Sequence, residues 1–88
     1  MKLLVEIDRK VHEIEGESAR SLFDEINKIQ DMITLLDSAI CFGTSFDQKD
    51  IEKLKTLINS YEDNTITMED IIDLEIHLSV CDIKVINA

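Results

Sequence analysis

Residues that interrupt regular structure are scarce in this chain of 88 residues: proline is absent, and glycine occurs only at Gly16 and Gly43. No stretch is rich in proline, glycine and serine, so we expect one domain over residues 1–88 rather than two domains joined by a linker. A domain of this size buries only about 60% of the surface that its unfolded chain exposes, so its core is small.

Cysteine is also scarce, at Cys41 and Cys81 only, and neither belongs to a CxxC or Cys/His pattern. The sequence therefore predicts no disulfide framework, and we expect two reduced, buried thiols. No apolar run approaches the roughly 18 residues of a membrane-spanning helix. The first ten residues include Glu6, Asp8 and Arg9, unlike a secretory signal peptide, so we expect a cytoplasmic protein.

Catalytic and cofactor motifs are missing as well. His12 and His77 are the only histidines, and no HExxH, Walker, GxGxxG or GxSxG pattern occurs. We therefore predict no catalytic residue, no cofactor and no metal ligand, and we do not expect an enzyme.

Positive charge is absent from a long stretch of the chain. No lysine or arginine occurs from Thr56 to Ile83, and this stretch carries most of the net charge of -10. Such a surface repels nucleic acid and anionic lipid and attracts a basic protein. We therefore expect a basic protein partner and no direct binding to nucleic acid or membrane, the alternative being that the acids serve solubility alone. The predicted partner-binding residues are Glu62, Asp63, Glu69, Asp70, Asp73 and Glu75.

One acidic stretch can be aligned with a calcium-binding loop. Asn59 to Asp70 matches the twelve-residue EF-hand loop in length, with Asn59, Asp63 and Asp70 at ligand positions one, five and twelve. Asn64 replaces the glycine of the sharp turn, and the last ligand is Asp instead of Glu. The stretch resembles a degenerate EF-hand that does not bind calcium, and a plain turn between two helices is the favoured interpretation.

The first segment, Lys2 to Glu15, carries two overlapping patterns. Leu4, Ile7, Val11 and Ile14 follow a 3-4-3 spacing that favours a helix ending at Gly16. Leu3, Val5 and Ile7 alternate as in a strand, which is the competing interpretation.

The second segment, Ser18 to Phe42, carries a heptad stripe that predicts one helix of about 25 residues, or roughly 37 Å. A compact domain of this length has a diameter of about 30 Å, so the helix would outreach it. We therefore predict a homodimer, the alternative being a monomer in which the later helices cover the stripe. The predicted self-association residues are Leu22, Ile26, Ile29, Ile33, Leu36 and Ile40.

The third segment predicts a helix over Gln48 to Tyr61. Asp47 resembles its N-cap, and Phe46 and Ile51 are spaced as a hydrophobic staple.

The fourth segment begins as a helix at Met68, because Thr67 and Asp70 form a capping-box pattern. After this start, a helical stripe competes with a strict alternation of apolar and polar residues over Ile72 to Val80, which is typical of a strand. The tail, Asp82 to Ile86, favours a strand. If the first segment is also a strand, the two ends of the chain pair as a small sheet.

These patterns together predict a mainly α fold, a bundle of three to four helices with one long central helix. The alternative is an α+β fold in which central helices are flanked by short terminal strands. The predicted function is that of a small acidic interaction module that binds a basic, nucleic-acid-handling protein and inhibits or modulates it. In size and charge the chain is similar to small acidic phage-encoded inhibitors that mimic nucleic acid. The alternatives are a self-associating structural or adaptor module without an inhibitory role and a metal-sensing module of degenerate EF-hand type.

Overall fold

The computed structural model describes residues 1–41 and 48–87, which form an α+β fold. Four strands make an antiparallel sheet in the order β2-β1-β4-β3. The helices cover one face of this sheet, because its alternate residues join the helices in one apolar core. The elements are β1 (Lys2–Ile7), β2 (Lys10–Glu15), α1 (Ala19–Ile29), α2 (Met32–Cys41), α3 (Gln48–Glu62), α4 (Met68–Ile72), β3 (Glu75–His77) and β4 (Asp82–Asn87).

The mainly α prediction is wrong, and the α+β alternative is closer to the structure. The strands that make it wrong lie in two segments: the first segment is a β-hairpin, and the fourth continues from a short helix into β3 and β4. The second segment also differs from its prediction, because it forms two helices where one long helix was expected.

The first segment forms β1 and β2, joined at Asp8 and Arg9. Both residues have positive φ angles, of 50° and 71°, as a two-residue hairpin turn of type I′ requires. Leu3, Val5 and Ile7 alternate into the core, which a 3-4 helical spacing cannot achieve. Val11, which the helix interpretation placed on one face with Leu4 and Ile7, is 57% exposed.

The second segment breaks between Ile29 and Met32, although no proline or glycine lies there. Gln30 is extended, with φ -135° and ψ 113°. The Asp31 carboxylate accepts hydrogen bonds from the backbone N–H groups of Ile33 and Thr34, at 3.1 and 3.2 Å, and so caps a new helix. The prediction of one long helix is therefore wrong, and α1 and α2, with 11 and 10 residues, are each too short to outreach the domain. Its predicted end at Phe42 and Gly43 lies outside the described residues.

The third helix is confirmed as α3, one residue longer than expected. The predicted cap and staple residues Asp47 and Phe46 lie outside the described residues. At the other end, Asn64 takes a left-handed φ of 59°, and the N–H of Asn64 donates to the Tyr61 carbonyl at 3.1 Å.

The capping box that starts α4 is confirmed, since the Thr67 side chain and the Asp70 carboxylate each accept a backbone N–H of the other residue. After five residues the chain leaves the helix and forms β3 and β4, with Ile76 and Ile83 buried. β4 pairs with β1, with Val5 opposite Val85 and a register irregularity beside Leu4. The two ends of the chain therefore pair, which was predicted only for the case in which the first segment is a strand.

Within residues 1–41 and 48–87, every helix is too short or too polar to cross a membrane.

Candidate partner-binding groove

A groove of about 720 Å³ lies between α3 and the segment that runs from α4 into β3. One wall is a face of α3 that extends from Gln48 to Ser60. The other wall contains Glu69 and Asp70 of α4 and then the continuous stretch 73–76. We call this feature the α3–β3 groove.

The sequence of α3 explains which face of this helix lines the groove. Ile51, Leu54 and Ile58 follow a 3-4 spacing and are buried against the core. The next face of the same helix therefore turns toward α4 and β3, and Lys49 and Lys53 on it are exposed.

The end of α3 is held onto α1 by an aromatic cluster. The Tyr61 and Phe23 rings lie 4.5 Å apart, and the Arg20 guanidinium lies 4.1 Å from the centre of the Tyr61 ring. The Tyr61 hydroxyl also donates a hydrogen bond to the Asp24 carboxylate, and this bond is the main reason that the pKa of Tyr61 is raised. The wall of the groove thus rests on a helix that is fixed at its C-terminal end.

Four of the six predicted partner-binding acids line this groove: Glu69, Asp70, Asp73 and Glu75. The other two, Glu62 and Asp63, are exposed at the end of α3 and do not line the groove. The structure therefore divides the predicted set into a groove group and a turn group.

The groove acids differ in how they are engaged. The Asp70 carboxylate accepts the Thr67 N–H at 2.8 Å and so belongs to the cap of α4. Glu69 and Asp73 are exposed one helical turn apart, and neither forms an ion pair with a described residue. These two carboxylates are therefore open to a cation from another molecule.

Glu75 is engaged by a histidine. His77 Nε2 lies 3.0 Å from Glu75 Oε1, and His77 Nδ1 lies 3.7 Å from an Asp82 carboxylate oxygen. The hydrogen bond to Glu75, with help from the Asp82 charge, raises the pKa of His77. The same bond, followed by the charge of Lys84, lowers the pKa of Glu75.

The floor of the groove is apolar. Leu57, Leu74 and Ile76 line it and also belong to the core, with at most 6% of each residue exposed. The groove thus combines five carboxylates, Glu52 included, and two lysines with an apolar floor. Sequence reasoning missed this combination, because nothing in the spacing of Leu57 or Lys53 shows that they face the acids of α4 and β3.

The predicted self-association residues do not form one surface. Leu22 and Ile26 are fully buried in the core. Ile33 and Ile40 of α2 are 52% and 53% exposed. Ile29 is also exposed, and Leu36 is half-buried and packs on the core. Exposure thus begins at Ile29, just before the break at Gln30–Asp31, and continues at Ile33 and Ile40 after it.

The stretch aligned with an EF-hand loop has a different geometry. Residues 59–62 lie in α3 and Met68 begins α4, so the connection is only residues 63–67. Among the described residues, no group of three or more His, Cys, Asp or Glu side chains is placed to hold a metal ion. Both cysteines are free; Cys81 is buried as expected, which raises the pKa of its thiol, but Cys41 is exposed.

Comparison with protein-family models, with curated proteins and with solved structures finds no match to this chain.

Proposed function

We propose that this protein is an interaction module that binds a basic segment of a partner protein in the α3–β3 groove. The observation that supports it is the pair of exposed carboxylates, Glu69 and Asp73, beside an apolar floor. Carboxylates attract lysine and arginine side chains over several ångströms, which speeds encounter and makes binding sensitive to salt. The buried floor adds apolar contact, which is less sensitive to salt.

The proposal extends to inhibition. A partner that handles nucleic acid carries a basic surface for the phosphate backbone. A chain of net charge -10 that occupies this surface keeps nucleic acid away from it. Inhibition of this kind needs no catalytic group in the inhibitor.

The experiment is affinity capture from a cell lysate with the charge-reversed variant Glu69→Lys/Asp73→Lys beside the unmodified protein. Asp70 is kept, because its loss would also uncap α4. The control is Glu13→Lys/Glu17→Lys, which makes the same change in net charge at exposed residues on the β2 side of the sheet.

We expect a basic partner that elutes at high salt, is retained by the control variant and is lost by the groove variant. Equal capture by all three proteins would contradict the proposal. The partner's nucleic-acid binding is then measured with and without the protein, and an unchanged affinity would remove inhibition from the proposal.

A second candidate is a self-associating adaptor. The observation that favours it is the exposed apolar face of α2, where Ile33 and Ile40 flank the half-buried Leu36. A second copy of the chain would cover this face, as the heptad pattern predicts.

A further inference from the structure

β3 is an edge strand of the described sheet. β4 pairs with one side of it, and no described strand pairs with the other. The residues of the α3–β3 groove include Leu74, Glu75 and Ile76, so the groove follows this edge. An edge that lies beside a groove offers backbone hydrogen-bonding groups to a ligand.

The pairing with β4 shows which backbone N–H and C=O groups of β3 are free of β4 and can bind a ligand. Val85 N–H donates to the Leu74 carbonyl at 3.0 Å, and Leu78 N–H donates to the Cys81 carbonyl at 3.3 Å. Hydrogen-bonded pairs alternate along an antiparallel ladder, so Ile76 is the hydrogen-bonded residue between these two positions. The N–H and C=O groups of Glu75 and His77 therefore point away from β4.

The length of the groove fits an extended chain. The α3 wall from Gln48 to Ser60 is about 18 Å long at the ~1.5 Å rise of a helix. A strand covers this distance with about five to six residues.

We propose that a basic segment binds in the α3–β3 groove as an extended strand that pairs antiparallel with the outer edge of β3. This inference rests on the proposed function and adds the conformation and the sequence pattern of the ligand. All pairs of described strands are antiparallel, and the added strand continues that arrangement.

The side chains of β3 set the pattern that the ligand needs. Residues opposite Glu75 lie on the same face as its carboxylate and are cationic. Residues opposite Ile76 lie on the side of the helices and are apolar, since Ile76 and Leu57 are both buried there. The preferred ligand therefore alternates basic and apolar residues.

The opposite edge of the sheet provides an internal comparison. β2 is the other edge strand, and the cavity beside it has a volume of about 300 Å³. Glu13, Glu15 and Glu25 also make that cavity acidic. Charge alone would therefore allow binding at both edges, whereas the larger groove with its apolar floor favours β3.

The probe is the peptide acetyl-(Lys-Val)3-amide, titrated into the full-length protein at low salt. Two further peptides carry N-methyl groups on the backbone nitrogens of either the lysines or the valines. In an antiparallel pair the lysine N–H groups donate to β3 and the valine N–H groups point away. We expect lysine methylation to weaken binding by about tenfold, valine methylation to have little effect, and amide exchange to slow at Glu75 and His77.

Each other outcome is decisive. Binding of all three peptides with equal affinity, or loss on valine methylation alone, overturns antiparallel pairing but leaves the proposed function standing. Slower exchange at the β2 residues Val11 and Glu13 instead of β3 overturns the choice of edge. No binding of the unmethylated peptide at low salt removes the proposed function and this inference together. Because only the peptide is changed, loss of protein folding cannot imitate any of these results.

Discussion

His77 contacts the groove residue Glu75, and its charge depends on pH near neutrality. Its ring faces Glu75 and Asp82, Asp50 of α3 adds a further negative charge, and Lys84 lies opposite Glu75 in the ladder. These carboxylates stabilise the protonated ring. The side chain is 56% exposed, so the effect on stability is screened by water.

The pH dependence follows from the directions of the two pKa shifts. The His77 pKa is raised above 6.5 on folding, so its contribution to stability is full below pH 6.5 and is lost as the pH rises through the folded value. The Glu75 pKa is lowered below 4.5, so its contribution is full above pH 4.5 and is lost as the pH falls through the folded value. The ion pair therefore contributes fully between pH 4.5 and pH 6.5, and it is lost below the lowered pKa of Glu75 and above the raised pKa of His77.

The prediction at the residue scale concerns the variant Glu75→Gln. We expect the pKa of His77, measured by NMR titration of the ring, to be lower in this variant than in the unmodified protein. The control is Asp50→Asn. Because the Asp50 charge contributes less to the His77 pKa than the hydrogen bond to Glu75 does, this substitution should lower the His77 pKa less. A His77 pKa that is unchanged in Glu75→Gln would show that the hydrogen bond does not form in solution.

At the scale of elements, the break between α1 and α2 divides the predicted long helix into two short helices. The Asn27 side chain accepts the Met32 N–H at 2.8 Å, and Asp31 caps α2. Asparagine and aspartate side chains compete with helical hydrogen bonds in this way, and that was the available sequence signal. The heptad stripe concealed it, because Ile26, Ile29 and Ile33 keep their spacing across the break.

We predict that Asp31→Ala lowers the free energy of unfolding by about 1 kcal/mol, since it removes the cap of α2. Urea unfolding followed by circular dichroism measures the change. Asp37→Ala, at an exposed position within α2, is the control and should be neutral or slightly stabilising. Equal effects of the two substitutions would show that Asp31 is not a cap.

The elements that the sequence predicted correctly have local signals that agree with their packing. The capping box at Thr67 and the apolar face of α3 are examples. The first segment was misread because two patterns overlap there: Leu3, Val5 and Ile7 alternate as in a strand, whereas Leu4, Ile7, Val11 and Ile14 keep a helical spacing. Pairing of β1 with β2 and β4 decides in favour of the strand. The acids of the site could be predicted because they lie in a stretch without lysine or arginine. The groove could not be predicted, because it depends on which face of α3 meets β3, and that is a tertiary contact.

At the scale of the whole molecule, the strong negative charge opposes self-association and the exposed isoleucines of α2 favour it. The test is Ile33→Lys/Ile40→Lys, with molar mass measured by light scattering. If two copies of the chain meet at α2, the unmodified protein is a dimer and this variant is a monomer. The substitution lowers the net negative charge, so stronger repulsion between the whole molecules cannot explain a loss of the dimer. Val80→Lys, at an exposed apolar residue of the β3–β4 turn, is the control and should remain dimeric. A monomeric unmodified protein would remove the adaptor candidate.

A charge-swap titration tests whether the acids of the α3–β3 groove select a basic segment by charge. The unmodified protein and Glu69→Lys/Asp73→Lys are each titrated with acetyl-(Lys-Val)3-amide and with acetyl-(Glu-Val)3-amide. We predict that the unmodified protein binds the lysine peptide, and that the variant loses about tenfold in affinity for it and gains affinity for the glutamate peptide. If both proteins bind the lysine peptide equally and neither binds the glutamate peptide, the groove is not the site and the account is wrong.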